Sequence, residues 1–302
     1  MAHSPLIKFY EKRQFGEKIN ATFTFIRENA WPYVKAQLII SGIILLIVNI
    51  FVNQLTLDFA FVSDPEELTL DFLVNFLNVY GLVLLSGLVT ATLIPIVTYG
   101  YMRAYQHHAP QEITTSIILQ NLGSKVFYVL LFNIITLILV FLGMLLFLIP
   151  GIYIWATLAL GSAIILFEDS NPIDAIGRSF TLIRGKWWST FGLIVVMAII
   201  GYIISFVFGL PRALTFGIKA FTSFSESGDL QEVVEAAKGE QALNVLFSVF
   251  ETFGQILLYS LIYIALAFQF FNLVERKESR GLMAEIDQLD KKSENEDEDE
   301  DF

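Results

Sequence analysis

The sequence contains no cysteine in its 302 residues. This absence excludes disulfides, thiol nucleophiles, cysteine-ligated metals and lipidated cysteines. Charged residues are also scarce, at 16% of the chain against about 25% in an average soluble domain. Hydrophobic residues make up 55% of the chain, and the mean hydropathy is +0.63. This composition predicts a protein that crosses a membrane several times.

Histidine is almost as rare, since the chain contains only His3, His107 and His108. His107 and His108 are adjacent, so on a helix they point about 100° apart and do not face one metal together. No long apolar run contains a histidine, so nothing there activates a serine or threonine. We therefore expect no enzyme, no catalytic residue, no metal and no cofactor. The net charge of −11 likewise argues against a nucleic-acid partner.

What the chain has in abundance is long apolar segments. A helix needs about 20 residues, with a range of about 17–25, to cross the hydrocarbon core. We predict an all-α polytopic membrane protein with six transmembrane helices, near residues 34–51, 79–102, 126–148, 151–167, 191–210 and 252–272. Only Ile149-Pro150-Gly151 separates the third and fourth of them. Because proline suits the first turn of a helix, Pro150 and Gly151 predict a tight structural turn.

Lysine and arginine are distributed unevenly between alternate segments. Sixteen of the nineteen lie in the N-terminal segment, in the segments after the second and fourth spans, and in the C-terminal tail. The other three are Arg212, Lys219 and Lys238. Basic residues accumulate on the cytoplasmic side of membrane proteins, so both termini are predicted to be cytoplasmic. The tail contains the acidic run SENEDEDED and is predicted to be disordered.

A nine-residue pattern occurs twice, as FTFIRENAW at Phe23–Trp31 and FTLIRGKWW at Phe180–Trp188. Each copy precedes a predicted span and ends in tryptophan, which favours the membrane interface. Apolar residues recur at helical spacing in both copies, as Ile19, Phe23, Ile26 and Ala30, and as Ile173, Ile176, Phe180 and Ile183. Each copy therefore predicts an amphipathic helix in the headgroup plane, followed by an elbow and a span.

The second copy also contains helix-start signals. Asn171 is placed to cap the helix, Pro172 fits its first position, and Asp174 is spaced to pair with Arg178. A weaker third copy follows Pro110, so three cytoplasmic interfacial helices are predicted in three repeated units. Alternatively, these segments are alike only because any amphipathic helix before a span uses the same residue types.

The basic and aromatic residues of these segments are candidate contacts for anionic lipid. A forked guanidinium binds phosphate in a geometry that lysine does not match, and indole rings suit the headgroup level. The candidates are Arg27, Trp31, Arg178, Arg184, Trp187 and Trp188. The alternative interpretation is that they only anchor the following span.

Between Ile149 and Ile194 the chain reads IPG, then GIYIWATLALGSAIILFE, then DAIGRSFTLIRGKWWSTFGLI. This stretch resembles the membrane domain fused to some bacterial glycerophosphodiester phosphodiesterases, and that domain's stand-alone six-helix relatives of unassigned function. The matching features are Pro150-Gly151, Glu168, Ala175 with Arg178-Ser179, and Gly185 with Trp188. The enzyme's catalytic His-Arg-Gly opening is absent. The resemblance therefore implies a fold and a bacterial inner-membrane location, and no enzymatic activity.

Taken together, these patterns predict a cytoplasmic segment (1–33), a six-span membrane domain (34–273) and a cytoplasmic acidic tail (274–302). The expected function is non-enzymatic, namely organising or sensing lipid or a membrane partner. Membrane lipids are the expected ligands, and a protein partner or a homo-oligomer stays open. The alternative is a transporter or lipid-handling subunit for an uncharged or amphiphilic substrate. Ion-coupled carriers place charges near the midplane, and the single acidic candidate is Glu251, at the edge of the sixth span.

Overall fold

The structure is a computed structural model that describes residues 7–62, 70–120, 122–227, 241–287 and 289. Regular structure within these ranges is helical, and they contain no strand. The predicted tail (274–302) is helical to Glu278 and again at 280–287, and its residues 290–302, which include the acidic run, lie outside the described residues.

The described residues form ten α-helices, a π-helical turn at Leu38–Gly42 and a further helical stretch at 280–287. Their bounds are α1 Phe15–Gln37, α2 Ile43–Val62, α3 Leu70–Tyr105, α4 Thr115–Leu119, α5 Gly123–Leu146, α6 Leu148–Leu158, α7 Gly161–Phe167, α8 Pro172–Ile183, α9 Trp187–Ser227 and α10 Gln241–Glu278.

Six helical segments among the described residues are long and apolar enough to cross a membrane. Each contains most or all of one predicted span, so the prediction of an all-α chain with six candidate spans is confirmed. The segments extend beyond the apolar runs because polar flanking residues continue the same helices. They are Phe15–Gln54, Leu73–Tyr105, Lys125–Leu146, Leu148–Phe167, Trp187–Thr222 and Ala242–Glu278.

The first predicted elbow is absent, because α1 passes through Trp31 and Pro32 and continues into α2 without a break. Its buried face also differs from the predicted apolar stripe. Phe23 and Ala30 are exposed, and the buried residues are Lys18, Ala21, Thr22, Phe25, Asn29, Tyr33, Ala36 and Gln37. Several of these are polar, so a search for apolar periodicity selects the wrong face.

The N-terminal half of α1 crosses α10 instead of running along it. Lys18 and Phe25 are about two turns apart on α1, yet they contact neighbouring residues of α10. Lys18 Nζ lies 2.6 Å from Gln269 Oε1, and the rings of Phe25 and Phe268 lie 6.3 Å apart.

The middle copy of the predicted repeat is much shorter than the other two. α4 has only five residues, and its N-cap is Thr114, which accepts a hydrogen bond from the Ile117 backbone N–H. Pro110, after which the middle copy was predicted, lies within a turn. The three segments are therefore a continuous long helix, a single short turn and the twelve-residue α8, rather than three equivalent units.

α8 begins as its sequence predicts. Asn171 Oδ1 accepts hydrogen bonds from the backbone N–H groups of Ile173 and Asp174, at 3.0 and 2.9 Å, and Pro172 occupies the first turn. Small or aliphatic residues form its buried face, while Ile173 and Phe180 of the predicted stripe are exposed. The exposed stripe leaves α8 with an apolar outer surface.

The turn between the third and fourth candidate spans confirms the role predicted for Pro150 and Gly151. Phe147 is extended, and Pro150 falls in the first turn of α6. A Cβ on Gly151 would lie 2.2 Å from Met144 Cγ, and one on Gly143 would lie 3.0 Å from the Gly151 Cα. The two helices therefore approach so closely that only glycine fits at these positions.

α10 is the central helix of the bundle. In its most apolar window, 72% of the residues are buried, compared with 17% for the Lys125–Leu146 segment. It packs against α9 over most of its length and also contacts α1, α2 and α3. The outward faces of the other candidate spans are apolar and exposed.

Pro95 lies inside α3 and leaves one backbone acceptor without its helical donor. The unmatched group is the carbonyl of Ala91, four residues earlier. Asn133 of α5 supplies the missing donor, because its Nδ2 lies 2.9 Å from the Ala91 oxygen and 3.2 Å from Thr92 Oγ1. Asn133 therefore fills the vacancy that Pro95 creates in the hydrogen-bond ladder of α3.

This arrangement predicts a measurable coupling between Asn133 and Pro95. Asn133→Ala should lower the free energy of unfolding by about 1–3 kcal/mol, because it leaves a buried carbonyl unsatisfied. In a Pro95→Ala background the restored N–H can bond to Ala91, so the same substitution should cost less. Unfolding measurements on the four chains of this double-mutant cycle give the coupling directly. Equal costs in both backgrounds would contradict the assignment.

Candidate functional site: a cavity between the helices

A cavity of about 420 Å³ lies between α3, α5, α6, α9 and α10. This volume is within the range of about 300–1,000 Å³ that is usual for small-molecule sites. Aliphatic side chains and four aromatic residues form most of its wall, namely Phe132, Trp155, Tyr259 and Tyr263. Its lining contains no Asp, Glu, Lys, Arg or His. The cavity therefore suits an apolar or amphiphilic molecule better than an ion.

Several uncharged polar groups interrupt this apolar wall. The Asn133 side chain donates a hydrogen bond to the Ala91 carbonyl of α3. Thr90 Oγ1 donates to the Ser86 carbonyl at 2.8 Å. Thr136 Oγ1 differs from both, since it is buried and has no hydrogen-bond partner. Ser162 also lines the cavity. A buried hydroxyl without a partner is costly, so Thr136 is a place where a ligand's polar group would be stabilised.

The fourth candidate span is interrupted beside this cavity. α6 ends at Leu158 and α7 begins at Gly161, and both Leu158 and Ala159 line the cavity. A Cβ on Gly161 would lie only 1.8 Å from Phe132 Cζ, so the absence of a side chain admits the Phe132 ring. Breaks in apolar helices are tolerated where they face protein or a cavity, and they often mark binding sites.

A second polar group of residues lies near the end of α10 where Glu251 is found. Arg212 Nε donates to Glu251 Oε1 at 2.6 Å, and Arg212 Nη2 donates to Ser248 Oγ at 3.1 Å. Asn49 Nδ2 donates to Thr252 Oγ1 at 2.9 Å. Arg212 was expected in a loop, but α9 continues through it. Glu251 is thus engaged in an ion pair and does not line the 420 Å³ cavity.

The six predicted lipid contacts fall into two groups. Arg27, Trp31, Arg184 and Trp188 are exposed, and Trp31 and Trp188 are exposed by 73% and 78%. Trp187 instead stacks on Tyr153 and Phe191, with ring centroids 5.6 and 5.0 Å away. The two arginines also differ in their position relative to a helix. Arg27 lies inside α1, whereas Arg184 follows the end of α8.

Arg178 is not free to bind lipid in the predicted way, and its predicted pairing with Asp174 is wrong. Its Nε and Nη2 donate to Glu168 at 2.9 and 2.7 Å, and it also pairs with Glu278 at 2.5 Å. Arg280 bridges the same two carboxylates. The hydrogen bonds from Arg178 to Glu168, which outweigh the effect of burial, raise the pKa of Arg178 above its ordinary value. Asp174 instead accepts from Asn171 Nδ2 at 2.6 Å.

Asp169, two residues after the end of α7, forms ion pairs with one cation of α3 and one of α5. Arg103 lies 3.3 Å and Lys125 3.0 Å from its Oδ1. Burial opposes ionisation of this carboxyl group, but the hydrogen bonds from Lys125 and Arg103 outweigh it and lower the pKa of Asp169. Its contribution to stability is therefore present above the ordinary aspartate pKa and is lost as the pH falls through the lowered value.

The described residues include no group of three histidines or carboxylates placed to hold a metal ion. They do include a polar cluster that apolar periodicity does not predict, formed by Lys18, Ser189, Thr190 and Gln269. Lys18, Phe25 and Asn29 are spaced so that they share one face of α1, and this spacing was the one available signal for a buried face there. The signal is weak because the face contains both polar and apolar residues.

No curated protein and no solved structure matches this chain. A family model described as a domain of unknown function, DUF7847, matches residues 43–267. The matched region contains every described residue that lines the cavity, but it excludes α1. The description does not mention phosphodiesterases, so that resemblance stays a prediction. The chain belongs to the DUF7847 family.

Proposed function

We propose that this protein is a non-enzymatic, multi-pass protein of the bacterial cytoplasmic membrane that binds lipid in order to organise or sense it. The single observation that supports this most is the uncharged, largely apolar cavity between the helices. Exposed apolar faces around the bundle support a membrane location, for instance Phe141 and Leu145 on α5 and Tyr202 and Phe206 on α9. The resemblance to phosphodiesterase membrane domains agrees with this location.

In this proposal the cavity receives part of an uncharged or amphiphilic lipid. The aromatic and aliphatic wall contacts hydrocarbon, and the Thr136 hydroxyl meets a hydroxyl or carbonyl group of the ligand. Burial of apolar ligand surface contributes about 25 cal/mol per Å² before the costs of association. No charged side chain of the lining has to be neutralised, so a charged substrate is disfavoured.

The cavity proposal is tested by filling the space. Ala198 lines the cavity, so Ala198→Phe should remove most of the lipid that copurifies at this site, because the new ring occupies its volume. Ala242→Phe is the matched control, since Ala242 is exposed at the start of α10 and outside the cavity. Mass spectrometry of lipids extracted from the purified chains gives the occupancy. An unchanged lipid complement in Ala198→Phe would count against the cavity as the site.

Thr136→Val provides a second measurement on the same cavity. It removes the unpaired hydroxyl with little change in shape, so the lipid-free protein should be as stable as the parent or more stable. Lipid occupancy should nevertheless fall if that hydroxyl contacts the ligand. Unchanged occupancy would mean that the ligand is held by its apolar part alone.

A transporter for an uncharged or amphiphilic substrate is the second candidate, and the interrupted α6–α7 span supports it. Transport requires the cavity to open alternately to both sides. Purified protein in liposomes should therefore accelerate movement of a fluorescent phosphatidylcholine between leaflets if this candidate is correct. The lipid-binding proposal expects no acceleration over protein-free liposomes.

The proposed orientation places both termini in the cytoplasm, as the lysine and arginine distribution predicts. The chain has no cysteine, so single cysteines report sidedness without background. Thr222→Cys, near the end of α9, should react with a membrane-impermeant maleimide on intact cells. Glu112→Cys, in the turn after α3, should react only after permeabilisation. The reverse pattern would invert the orientation.

Arg27 and Arg184 are proposed to contact anionic lipid, together with the exposed Trp31 and Trp188. Attraction to an anionic leaflet is worth about 1 kcal/mol per basic residue. The Arg27→Gln, Arg184→Gln double variant should therefore retain less anionic lipid after detergent purification, with an unchanged melting temperature. Replacing both by lysine keeps the charge and tests the forked geometry. If the glutamine variant keeps the parent's lipids, the arginines serve only as anchors.

A further inference from the structure

Lys18 is the most deeply buried cation among the described residues, with a relative exposure of 1%. Its Nζ donates to Ser189 Oγ at 2.8 Å and to Gln269 Oε1 at 2.6 Å. Gln269 is fully buried and donates in turn to Thr190 Oγ1 at 2.8 Å. The ammonium group is therefore fixed where α1, α9 and α10 meet.

All hydrogen-bond acceptors of this ammonium group are neutral. No carboxylate of the described residues lies within ion-pairing distance of it, and the adjacent Glu17 instead accepts from the Gln14 backbone N–H. The charged side chains that act on Lys18 are Arg276 and Lys186, and both repel it. Burying a cation without a counter-ion costs several kcal/mol, so this arrangement lacks a negative charge that a ligand would supply.

Ser189 connects the buried ammonium group to the surface. Its oxygen accepts from Lys18, so its own hydroxyl hydrogen is left to donate elsewhere. Most other buried serine and threonine hydroxyls donate to the carbonyl four residues earlier, as Thr190 does to Lys186, but Ser189 forms no such bond. The side chain is partly exposed. Its hydroxyl is thus a donor that can point outward with a positive charge directly behind it.

The backbone at this point supplies further donors. Ser189 is in the first turn of α9, a helix of 41 residues, and the helix ladder begins with the Thr190 N–H bonding to the Lys186 carbonyl. The N–H groups of Trp187, Trp188 and Ser189 therefore have no helical acceptor. Such groups bind anions well, because they converge at the positive end of the helix dipole.

Two exposed cations complete the surroundings. Lys186 immediately precedes α9, and Arg276 is exposed on α10. Arg276 donates to neutral acceptors, the Asn272 side chain at 2.9 Å and the Arg13 carbonyl at 3.0 Å. Its charge is therefore not neutralised by these contacts.

We propose that the start of α9 is a phosphate-binding site, in which the Ser189 hydroxyl and the first-turn N–H groups hold the phosphate oxygens. Lys18 supplies the buried positive charge behind Ser189, and Lys186 and Arg276 attract the ligand from the surface. Phosphate fits better than a carboxylate, because three or more oxygens can use the several donors at once. The source is either a phospholipid headgroup, since Trp188 is exposed beside the site, or a soluble phosphate compound.

This inference is independent of the proposed cavity, because the two sites share no residue. Ser189→Ala removes the outward donor from a partly exposed position, and Lys18→Met removes the buried charge at nearly constant volume. Ser189→Ala should weaken binding of phosphate by about tenfold, as loss of a hydrogen bond to a charged group does. Lys18→Met should also weaken it, because the attraction between the buried ammonium group and the phosphate is lost. Lys12→Gln is the matched control, since Lys12 is exposed and carries the same charge outside the site.

Two probes distinguish the sources. Radiolabelled inorganic phosphate is offered to the detergent-purified full chain by equilibrium dialysis, and dioleoyl phosphatidylglycerol by native mass spectrometry, with dioleoylglycerol as the phosphate-free comparison. Phosphate that binds and displaces phosphatidylglycerol identifies a soluble ligand, whereas phosphatidylglycerol binding that resists phosphate identifies a headgroup. Either result supports the site only if Ser189→Ala and Lys18→Met weaken it and Lys12→Gln does not.

The melting temperature adds a readout that a purely structural lysine would not change. A bound anion stabilises the folded state, so the parent should melt at a higher temperature in the presence of the probe that binds. Lys18→Met should lose this shift while remaining folded. Failure of both probes to bind the parent, or equal binding by parent, Ser189→Ala and Lys18→Met, would overturn the proposal. The Arg27→Gln, Arg184→Gln variant should still bind, which separates this result from the proposed arginine contacts.

Discussion

Polar pairs along α10 fix how the bundle is assembled. Glu251 bonds to Arg212, Thr252 to Asn49, Gln269 to Lys18 and Asn272 to the backbone of Arg13. These positions extend over about 32 Å of helix at 1.5 Å per residue, close to the thickness of a hydrocarbon core of about 30 Å. Apolar contacts alone would let the surrounding helices slide or rotate. Directional bonds in an apolar interior set one register, because an unmatched polar group there is costly.

The same requirement explains why the irregular parts of the helices are grouped around the cavity. Pro95 removes a backbone donor from α3, and Asn133 replaces it from α5. Gly161, which has no side chain, leaves room for the Phe132 ring beside the break between α6 and α7. Among the described buried hydroxyls without a hydrogen-bond partner, that of Thr136 lies on the wall of the cavity, whereas Tyr99 and Ser260 do not line it.

The residues that carry the resemblance to phosphodiesterase membrane domains have structural roles. Glu168 and Arg178 form an ion pair, and Ala175 and Ser179 are fully buried on the packed face of α8. Gly185 has a φ of +78°, which favours glycine, and it allows the chain to turn from α8 into α9. These motifs therefore specify how a short helix is fastened to the bundle. They also fix the geometry of the connection between α8 and the start of α9.

Local sequence was sufficient for several features. Six apolar runs determined six candidate spans, because length and hydropathy are properties of contiguous residues. Asn171 with Pro172 determined where α8 begins, and Pro150 with Gly151 determined the tight turn. The apolar runs contain no histidine and one charged residue, Lys35, and the described lining of the cavity likewise contains no histidine and no charged residue.

Only the tertiary structure decided which polar residues are buried and with what partners. Lys18 bonds to Ser189 and Gln269, which are separated from it by 171 and 251 positions in the chain. Arg178 pairs with Glu168 and Glu278 and not with Asp174, which is one helical turn away. Apolar periodicity placed the buried face of α1 on Phe23 and Ala30, whereas the bundle buries Lys18, Asn29 and Gln37. The physical reason is that an apolar run can be satisfied by any apolar surroundings, including lipid. A buried polar group is satisfied only by a specific partner, and the folded chain alone brings that partner to it.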